Sequence, residues 1–173
     1  GIWEVGKMRA AVSNATPLMY LAKIRKISLL RKFFDKIYIP SEVFVEVVTE
    51  GKRLNRKEIF LIENLIRDDF IEIREVEKSP EIKSLHEGEA KAITLCRELR
   101  LKIILIDDKE GYEFSKLLNL SPLRTTALLL RFYKEDFFSY KEFCDAVLKL
   151  SEEGYFLSAK VYEELIKIAK EKK

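Results

Sequence analysis

Residues 103–108 read Ile-Ile-Leu-Ile-Asp-Asp, four large apolar residues followed at once by two acids. A short apolar run bounded by polar residues is typical of a strand that is buried on both faces. We therefore predict a strand over Ile103–Ile106 that ends at Asp107 and Asp108. Strands of this kind occur mainly in parallel sheets covered by helices, so this stretch indicates an α/β fold.

Four further strands and a succession of helices surround this segment. The other predicted strands are Ala10–Ser13, Lys36–Ile39, Phe70–Ile73 at an edge, and a short one near Ser121–Leu123. The first predicted helices follow Thr16, Ser28 and Ser41 as capping residues. The later ones cover 55–67, 86–99, 110–118, 126–134, 139–151 and 158–171. This alternation predicts a three-layer α/β fold with a central parallel sheet flanked by helices.

The size and composition of the chain fit one globular domain. It has 173 residues, 47% of them hydrophobic, which suffices for a single core. We predict one domain over residues 8–173, with 137–173 as a helical C-terminal extension packed on it. Residues 1–7, before Met8, are interpreted as a tag or an upstream extension. The 32 basic and 29 acidic residues nearly cancel, so net charge alone does not predict nucleic-acid binding.

The sequence excludes several classes of protein. Cys96, Cys144 and the single His86 are too few for a tetrahedral zinc site. No apolar stretch reaches the roughly 20 residues of a membrane span, and the first residues lack the apolar core of a signal peptide. The glycine-rich motifs of nucleotide-binding proteins are absent. We therefore expect a soluble, cytoplasmic protein that does not associate with a membrane.

Glu89 is the most informative single residue. Drawn as a helix at roughly 100° per residue, the segment from Glu87 has an apolar face that includes Ile93 and Cys96. Glu89 falls near the middle of that face. A carboxylate there is costly unless it is paired, bound to a metal or facing a wet cleft. The alternative is a capping-box glutamate that is solvated at the helix end.

Other oxygen-bearing side chains can join Glu89 at one edge of the sheet. Ligands of open parallel sheets bind beyond the carboxyl ends of the strands, where Asn14, Asp107 and Asp108 follow predicted strands. Glu46 borders the apolar stripe of its helix. Such hard oxygen ligands suit Mg²⁺ or Mn²⁺, and a cation relieves the repulsion among clustered carboxylates. Helix capping by the two aspartates and a solvated Glu46 stay open as alternatives.

Short segments along the chain resemble those of a known family. They are Val12–Leu18 with Tyr20–Lys23, Ile39-Pro40 leading to Val43 and Glu46, Gly88–Ala90, Leu105–Asp108 and Gly154–Leu157. In this order they resemble PIN-domain proteins, most closely the DUF3368 branch, which is similar to the nuclease toxins of toxin–antitoxin pairs. The resemblance covers nearly all of the chain from Met8 onward. It implies a sheet in the order 3-2-1-4-5, an acidic metal site and RNA endonuclease activity.

The resemblance also implies which residues form that site. The metal-site positions fall on Asn14, Glu46, Glu89 and Asp107, with Asp108 adjacent. The sequence departs from the family pattern in three places. Asn14 stands where PIN enzymes usually have aspartate, so the site has one negative charge fewer. The arginine often found beyond the paired acids is replaced around Gly111-Tyr112, and the Gly-Thr-rich turn before the next helix reads Leu123–Thr126.

The leading hypothesis is a metal-dependent ribonuclease of the toxin type. In this hypothesis Glu46, Glu89 and Asp107 are catalytic and hold Mg²⁺ or Mn²⁺, so that activated water attacks the phosphodiester. The alternative is a weakened or inactive PIN-like module that binds RNA or an antitoxin. A phosphatase-like or receiver-like protein is disfavoured because Asn14 cannot serve as an aspartyl nucleophile. The partners that the resemblance implies are RNA, a small protein antitoxin and a second copy in a homodimer.

Two sets of residues have open interpretations. The basic residues of the first two predicted helices are Lys23, Arg25, Lys26, Arg31 and Lys32. They either contact phosphates, with Tyr20 or Tyr112 for base stacking, or form a solvated helix face. The apolar residues of the last two helices include Phe143, Val147, Val161 and Leu165. We favour a place in the core for these over a contact with a partner.

Overall fold

A computed structural model describes residues 9–77 and 84–171. The interpretations of residues 1–7 and of Met8, and the last two residues of the predicted domain, lie outside the described residues. The described residues form five strands: β1 (Ala10–Ser13), β2 (Lys36–Pro40), β3 (Ile71–Arg74), β4 (Ile103–Leu105) and β5 (Ser121–Leu123). All neighbouring strands pair in parallel, in the order β3-β2-β1-β4-β5. The predicted fold class and strand order are confirmed.

Helices cover both faces of the sheet. They are α1 (Ala15–Lys23), a 3₁₀-helix (Ile27–Lys32), α2 (Ser41–Phe44), a π-helix (Val45–Thr49), α3 (Glu50–Arg53), α4 (Ile59–Arg67), α5 (Glu87–Glu98), α6 (Lys109–Leu117), α7 (Thr125–Lys134), α8 (Tyr140–Glu152) and α9 (Ala159–Lys170). The π-helix joins α2 and α3 without a break. None of the helices in residues 9–77 and 84–171 is long and apolar enough to cross a membrane.

The segment Ile103–Ile106 is apolar at every position because its side chains pack into two cores, one on each face of the sheet. Side chains alternate along a strand, so Ile103 and Leu105 pack into a larger core with α1, α4, α7 and α8. Ile104 and Ile106 pack into a smaller core on the other face with α5 and α6. All four side chains are at most 5% exposed. The central strands are thus fixed from both sides, which places the residues after them at a rigid edge.

The last two helices contribute mainly to the larger core. Phe143 and Val147 of α8 are fully buried, and Leu165 of α9 is 8% exposed. For these three residues, the prediction that they complete the core is correct. For Val161 it is wrong, because 42% of that residue is exposed. Leu165 and Ala169 of α9 pack on the domain, whereas Val161, one turn before Leu165, lines an open groove.

The prediction that Thr16 caps the first helix is wrong. Asn14 has the extended backbone of a capping residue, with φ −80° and ψ 174°, and α1 begins directly after it. Asn14 is therefore the single residue between the end of β1 and the start of α1. Thr16 and Pro17 lie in the first turn of α1, where a proline lacks only an N–H that has no partner within the helix.

Three further predicted helix starts differ from the structure. Ser28 is the second residue of the 3₁₀-helix, not its cap, because that helix follows directly on the turn that closes α1. Ser41 is the first residue of α2, since Pro40 takes the preceding extended position with φ −65° and ψ 155°. The helix predicted from Asn55 starts only at Ile59. Asn55 has a left-handed φ of 54°, which ends α3.

Candidate active site

The predicted site residues come from four places around the carboxyl edge of the sheet. Asn14 follows β1, and Asp107 and Asp108 follow β4. Glu46 lies in the π-helix after β2, and Glu89 lies in the first turn of α5. Parallel strands bring such positions to a common edge, which is the usual ligand-binding edge of an open α/β sheet.

Asn14 is buried at this edge with an unsatisfied acceptor. It is 2% exposed, and its backbone N–H donates to the carbonyl of Leu105 at 2.9 Å. Its side chain does not cap α1, and its Oδ1 accepts no hydrogen bond from the described residues. A buried acceptor without a donor is costly. The site therefore has an oxygen that a water molecule or a hard cation would satisfy.

Glu89 is a capping-box residue that is also buried. Its Oε1 accepts the backbone N–H of His86 at 3.2 Å and lies 3.6 Å from Nε2 of the same histidine. Nδ1 of His86 accepts the N–H of Gly88 at 3.1 Å, which completes the box. The capping alternative is therefore correct, but its solvated form is wrong, because Glu89 is only 3% exposed. Its carboxylate faces the protein, not bulk water.

The starts of α5 and α6 meet at Glu89. A Cβ on Gly111 would lie 2.5 Å from Cδ1 of Ile106 and 3.6 Å from Oε2 of Glu89, so glycine allows this approach without a shift of the Ile106 side chain. Asp108 caps α6 by accepting the N–H of Gly111 at 3.0 Å. Burial raises the pKa of Glu89; His86 opposes this effect and the nearby Asp108 adds to it. Glu89 is thus a carboxyl group for which a neighbouring cation would be favourable.

In metal-free protein, stability should decrease as Glu89 loses its proton. Folding raises the pKa of Glu89 above its unfolded value of about 4.3. Its contribution to stability is complete below that pH and is lost as pH rises through the folded pKa. Urea unfolding in the presence of a chelator at about pH 4 and pH 7 measures this. We expect a smaller pH dependence in Glu89→Gln, and identical dependences in both proteins would contradict the assignment.

Asp107 is fixed by residues from α7 and from the segment before α9. Its Oδ1 accepts the backbone N–H of Thr125 at 2.9 Å, and its Oδ2 accepts the Thr125 hydroxyl at 2.7 Å. The Tyr155 hydroxyl donates a short hydrogen bond to Oδ1. Burial raises the pKa of Asp107 in spite of these bonds. Burial and the adjacent carboxyl group also raise the pKa of Tyr155, so this hydroxyl keeps its proton and remains a donor.

Tyr155→Phe should therefore destabilise the protein through Asp107. A hydrogen bond to a charged group contributes about 1.5–3 kcal/mol, and we expect a loss in unfolding free energy of about 2 kcal/mol. The measurement is urea unfolding at neutral pH. Tyr162→Phe is the matched control, because Tyr162 in α9 is 41% exposed. Equal losses in the two variants would show that the Tyr155 hydroxyl does not support Asp107.

Glu46 faces the start of α5. Its Oε1 lies 3.4 Å from the point where a Cβ on Gly88 would stand, and the ring of His86 borders the same point at 3.1 Å. Glu46 is half-buried and lies within the π-helix. Such helices are rare and occur frequently at functional sites. Of the two predicted orientations, the structure thus favours the one in which Glu46 faces the cleft beside Glu89.

The described acids at this edge do not form a closed metal site. Among residues 9–77 and 84–171, no three His, Cys, Asp or Glu side chains are grouped so that they could hold a metal ion. Mg²⁺ usually keeps several waters and uses one or two carboxylates together with substrate phosphates. The unpaired oxygen of Asn14 and the adjacent carboxyl groups of Glu89 and Asp108 are compatible with such an open site. A metal role for these residues remains a prediction.

A groove of about 830 Å³ opens beside the acids. Asp107 and Asp108 line it together with two cations, Lys109 and Arg124. The Arg124 guanidinium lies 3.8 Å from the ring centre of Tyr112, and its Nε donates to the Asp107 carbonyl at 3.4 Å. A cation, Arg124, therefore lies near Asp107 and Asp108. The family pattern often has an arginine a few residues after these two acids, and that position is occupied by other residues around Gly111-Tyr112.

Three residues that fix the acids at this edge were not predicted from the sequence. His86 was considered only as a zinc ligand, whereas it holds Glu89. Thr125 and Tyr155 were quoted only for the family pattern, whereas both bind Asp107. A serine, threonine or aspartate is the usual sign of a cap, so a histidine gave no signal. The two partners of Asp107 are distant in the sequence and could be found only from the fold.

Comparisons with known proteins agree with this architecture. The family model DUF3368, described as a PIN domain, matches residues 10–171. The chain is similar to a solved PilT N-terminus domain protein from Sulfolobus solfataricus, with 20% identity, a TM-score of 0.53, and coverage of 70% of this chain and 92% of that one. A domain of a functionally unknown protein from Methanocaldococcus jannaschii has 18% identity, a TM-score of 0.45, and coverage of 66% and 89%. No curated protein matches the chain.

Proposed function

Because this chain belongs to the DUF3368 family of PIN domains, we propose that it is a metal-dependent ribonuclease of the toxin type. PIN domains are in general nucleases. The observation that carries the proposal is a pair of buried oxygen groups at the ligand-binding edge of the sheet. They are the unpaired Oδ1 of Asn14 and the carboxyl group of Glu89, which is 3% exposed. Both would gain from a cation, because Asn14 Oδ1 has no donor among the described residues and the capping bond of Glu89 to His86 does not offset the burial that raises the pKa of its carboxyl group.

The proposed roles are those that the resemblance to PIN domains implies. Glu46, Glu89 and Asp107 would hold Mg²⁺ or Mn²⁺, with Asn14 as a neutral ligand and Asp108 in support. When bound, such an ion makes water nucleophilic and stabilises the leaving oxygen. His86 fixes Glu89 through its backbone N–H, and Thr125 fixes Asp107.

The cations of the groove would bind the substrate. Lys109 and Arg124 line the groove beside the two aspartates, where they can attract RNA phosphates to an otherwise acidic edge. Phe156 lines the same groove and is 86% exposed. An exposed aromatic ring is suited to stacking on a base. The groove therefore offers both kinds of contact that single-stranded RNA requires.

Cleavage of labelled RNA by chelated protein, with and without added Mn²⁺, tests the proposal. Cleavage that appears with Mn²⁺ and stops with excess chelator is the expected result. Calorimetric titration of Mn²⁺ into the same protein should show weak binding, because a neutral amide replaces one carboxylate. Protein that neither binds Mn²⁺ nor cleaves RNA would refute the proposal.

The second candidate is a PIN-like module that binds RNA or a small protein antitoxin without cleaving RNA. It is favoured by Asn14 and by the state of Asp107, both oxygens of which are already engaged by Thr125 and Tyr155. This candidate predicts RNA or antitoxin binding that survives both chelation and mutation of the acids. The homodimer that the resemblance implies is compatible with both candidates and does not distinguish them. Analytical ultracentrifugation measures the oligomeric state.

A further inference from the structure

A second cavity, of about 590 Å³, lies at the other end of α1 from the acids. α1 begins after Asn14 and ends at Lys23, so roughly 13 Å of helix separates the two regions. The basic residues that line this cavity are Lys23, Arg25, Arg56, Lys57 and Lys149, against the acids Glu58 and Glu153. The excess of three positive charges equals the formal net charge of the whole chain, +3. We call this concavity the basic cavity.

Most of these cations are not neutralised by neighbours. In the described part of the chain, no ion pair involves Arg25, Arg56 or Lys57. Lys149 lies 3.6 Å from Glu153. The basic cavity thus contains a concentrated, unbalanced positive charge, which attracts anions.

The fold divides the predicted basic run into two groups. Lys26 lies 3.8 Å from a Glu142 oxygen, Arg31 lies 3.3 Å from an Asp68 oxygen, and Lys32 lies over the ring of Phe137 at 5.0 Å. These three are engaged with the protein surface itself. Lys23 and Arg25 instead line the basic cavity. The solvated-face interpretation therefore suits part of the run and leaves the cavity group unexplained.

Helix electrostatics explain only some of the cavity cations. Lys23 and Arg25 lie at the C-terminal end of α1, where cations stabilise the helix dipole. Lys57 precedes the first residue of α4 by two positions. A cation at the N-terminal end of a helix is unfavourable. The dipole of α4 therefore does not account for Lys57.

The linings of the basic cavity and of the groove beside the acids contain neighbouring residues. Tyr20 lines the groove and Lys23 lines the cavity, and Nζ of Lys23 lies 5.1 Å from the ring centre of Tyr20. Along the facing segment, Glu153 borders the cavity and Tyr155 borders the groove. Only Gly154 lies between them in the chain. The two linings therefore meet at Lys23 and Tyr20, along α1.

We propose that the basic cavity binds phosphates of the same RNA strand whose reacting phosphodiester lies at the acids. The proposal rests on the proposed function for its ligand class, but it concerns binding and does not require cleavage. A polyanion fits because several cations lie along one path, whereas a single small anion would engage only part of them. The path also predicts that affinity depends on RNA length.

The test is fluorescence anisotropy in excess chelator with labelled oligouridylates of roughly 4 and roughly 16 nucleotides. The pocket variant is Arg25→Glu with Lys57→Glu. The matched control is Arg100→Glu with Arg97→Glu, exposed residues around the end of α5 on the other face of the sheet. Arg100 has φ 56° and Arg25 has φ 59°, so the two arginines also share a backbone conformation.

The natural protein should bind the long RNA more tightly than the short one. The pocket variant should bind the long RNA at least about tenfold more weakly, with a salt slope lower by about 1.4, or 0.7 for each of two phosphate contacts. The short RNA should be little affected. Equal losses in both double variants, or no length dependence in the natural protein, would overturn the inference. Binding as expected without any cleavage in Mn²⁺ would refute the nuclease proposal and leave this one standing.

Discussion

Glu89→Gln is expected to lower metal-dependent RNA cleavage by more than about 100-fold. Glutamine keeps the size of the side chain and can still accept the His86 N–H, so the helix start should be preserved. It removes the charge with which Glu89 would hold the cation. Losses of 10- to 100-fold accompany residues that merely orient a metal ligand, and the loss of a ligand should exceed them. The measurement is the single-turnover cleavage rate in saturating Mn²⁺.

The control for this variant is Glu87→Gln. Glu87 lies in the same first turn of α5 and is exposed, so its substitution changes net charge equally without altering the buried edge. Its cleavage rate should stay within about twofold of the natural rate. Circular dichroism on heating should show that both variants remain folded. Cleavage by Glu89→Gln at the natural rate would remove Glu89 from the site.

Asn14→Asp should make the stability of the protein depend on metal. Asn14 is 2% exposed and its Oδ1 accepts no hydrogen bond from the described residues, so a carboxylate there is an uncompensated buried charge. In chelator, the free energy of unfolding should fall by about 3–5 kcal/mol. Mn²⁺ should restore it, because a ligand that binds only the folded state stabilises that state. Binding of Mn²⁺ should be tighter than in the natural protein by on the order of tenfold or more.

Asn119→Asp is the matched control for the added charge. Asn119 is exposed after α6 with a φ of 62°, a conformation that aspartate also tolerates. Its unfolding should be insensitive to Mn²⁺. If Asn14→Asp binds Mn²⁺ and the natural protein does not, the nuclease fold serves binding alone, as in the second candidate. If neither binds Mn²⁺, the amide oxygen does not face a cation site.

The strands and the buried acid were predictable because they depend on local periodicity. β4 is apolar throughout because both of its faces are covered. Such an apolar run can be recognised from the sequence alone. The burial of Glu89 followed from projecting a regular helix, and α5 is regular. The order of the strands came from the resemblance to PIN domains, because periodicity carries no information about which strands are neighbours.

The rest of the edge depends on contacts that local patterns do not contain. Glu46 lies in a π-helix, whose i→i+5 bonds invalidate a projection at 3.6 residues per turn. Thr125 and Tyr155 bind Asp107 across 18 and 48 residues of chain. The start of α1 was predicted too late, because Asn14 alone connects the end of β1 to the first residue of α1. These features arise only when separate elements pack together.

The hydrogen bond from Tyr155 to Asp107 has a consequence for biosynthesis. All five strands precede residue 124, whereas α7 and α8, which cover β4 in the larger core, follow it. Domains fold from the N-terminus as synthesis proceeds at about 5–20 residues per second. Asp107, however, gains its last donor only after residue 155 has emerged from the ribosome. A nascent chain that does not yet include Tyr155 would thus lack one of the donors that fix the Asp107 carboxyl group at the edge of the sheet.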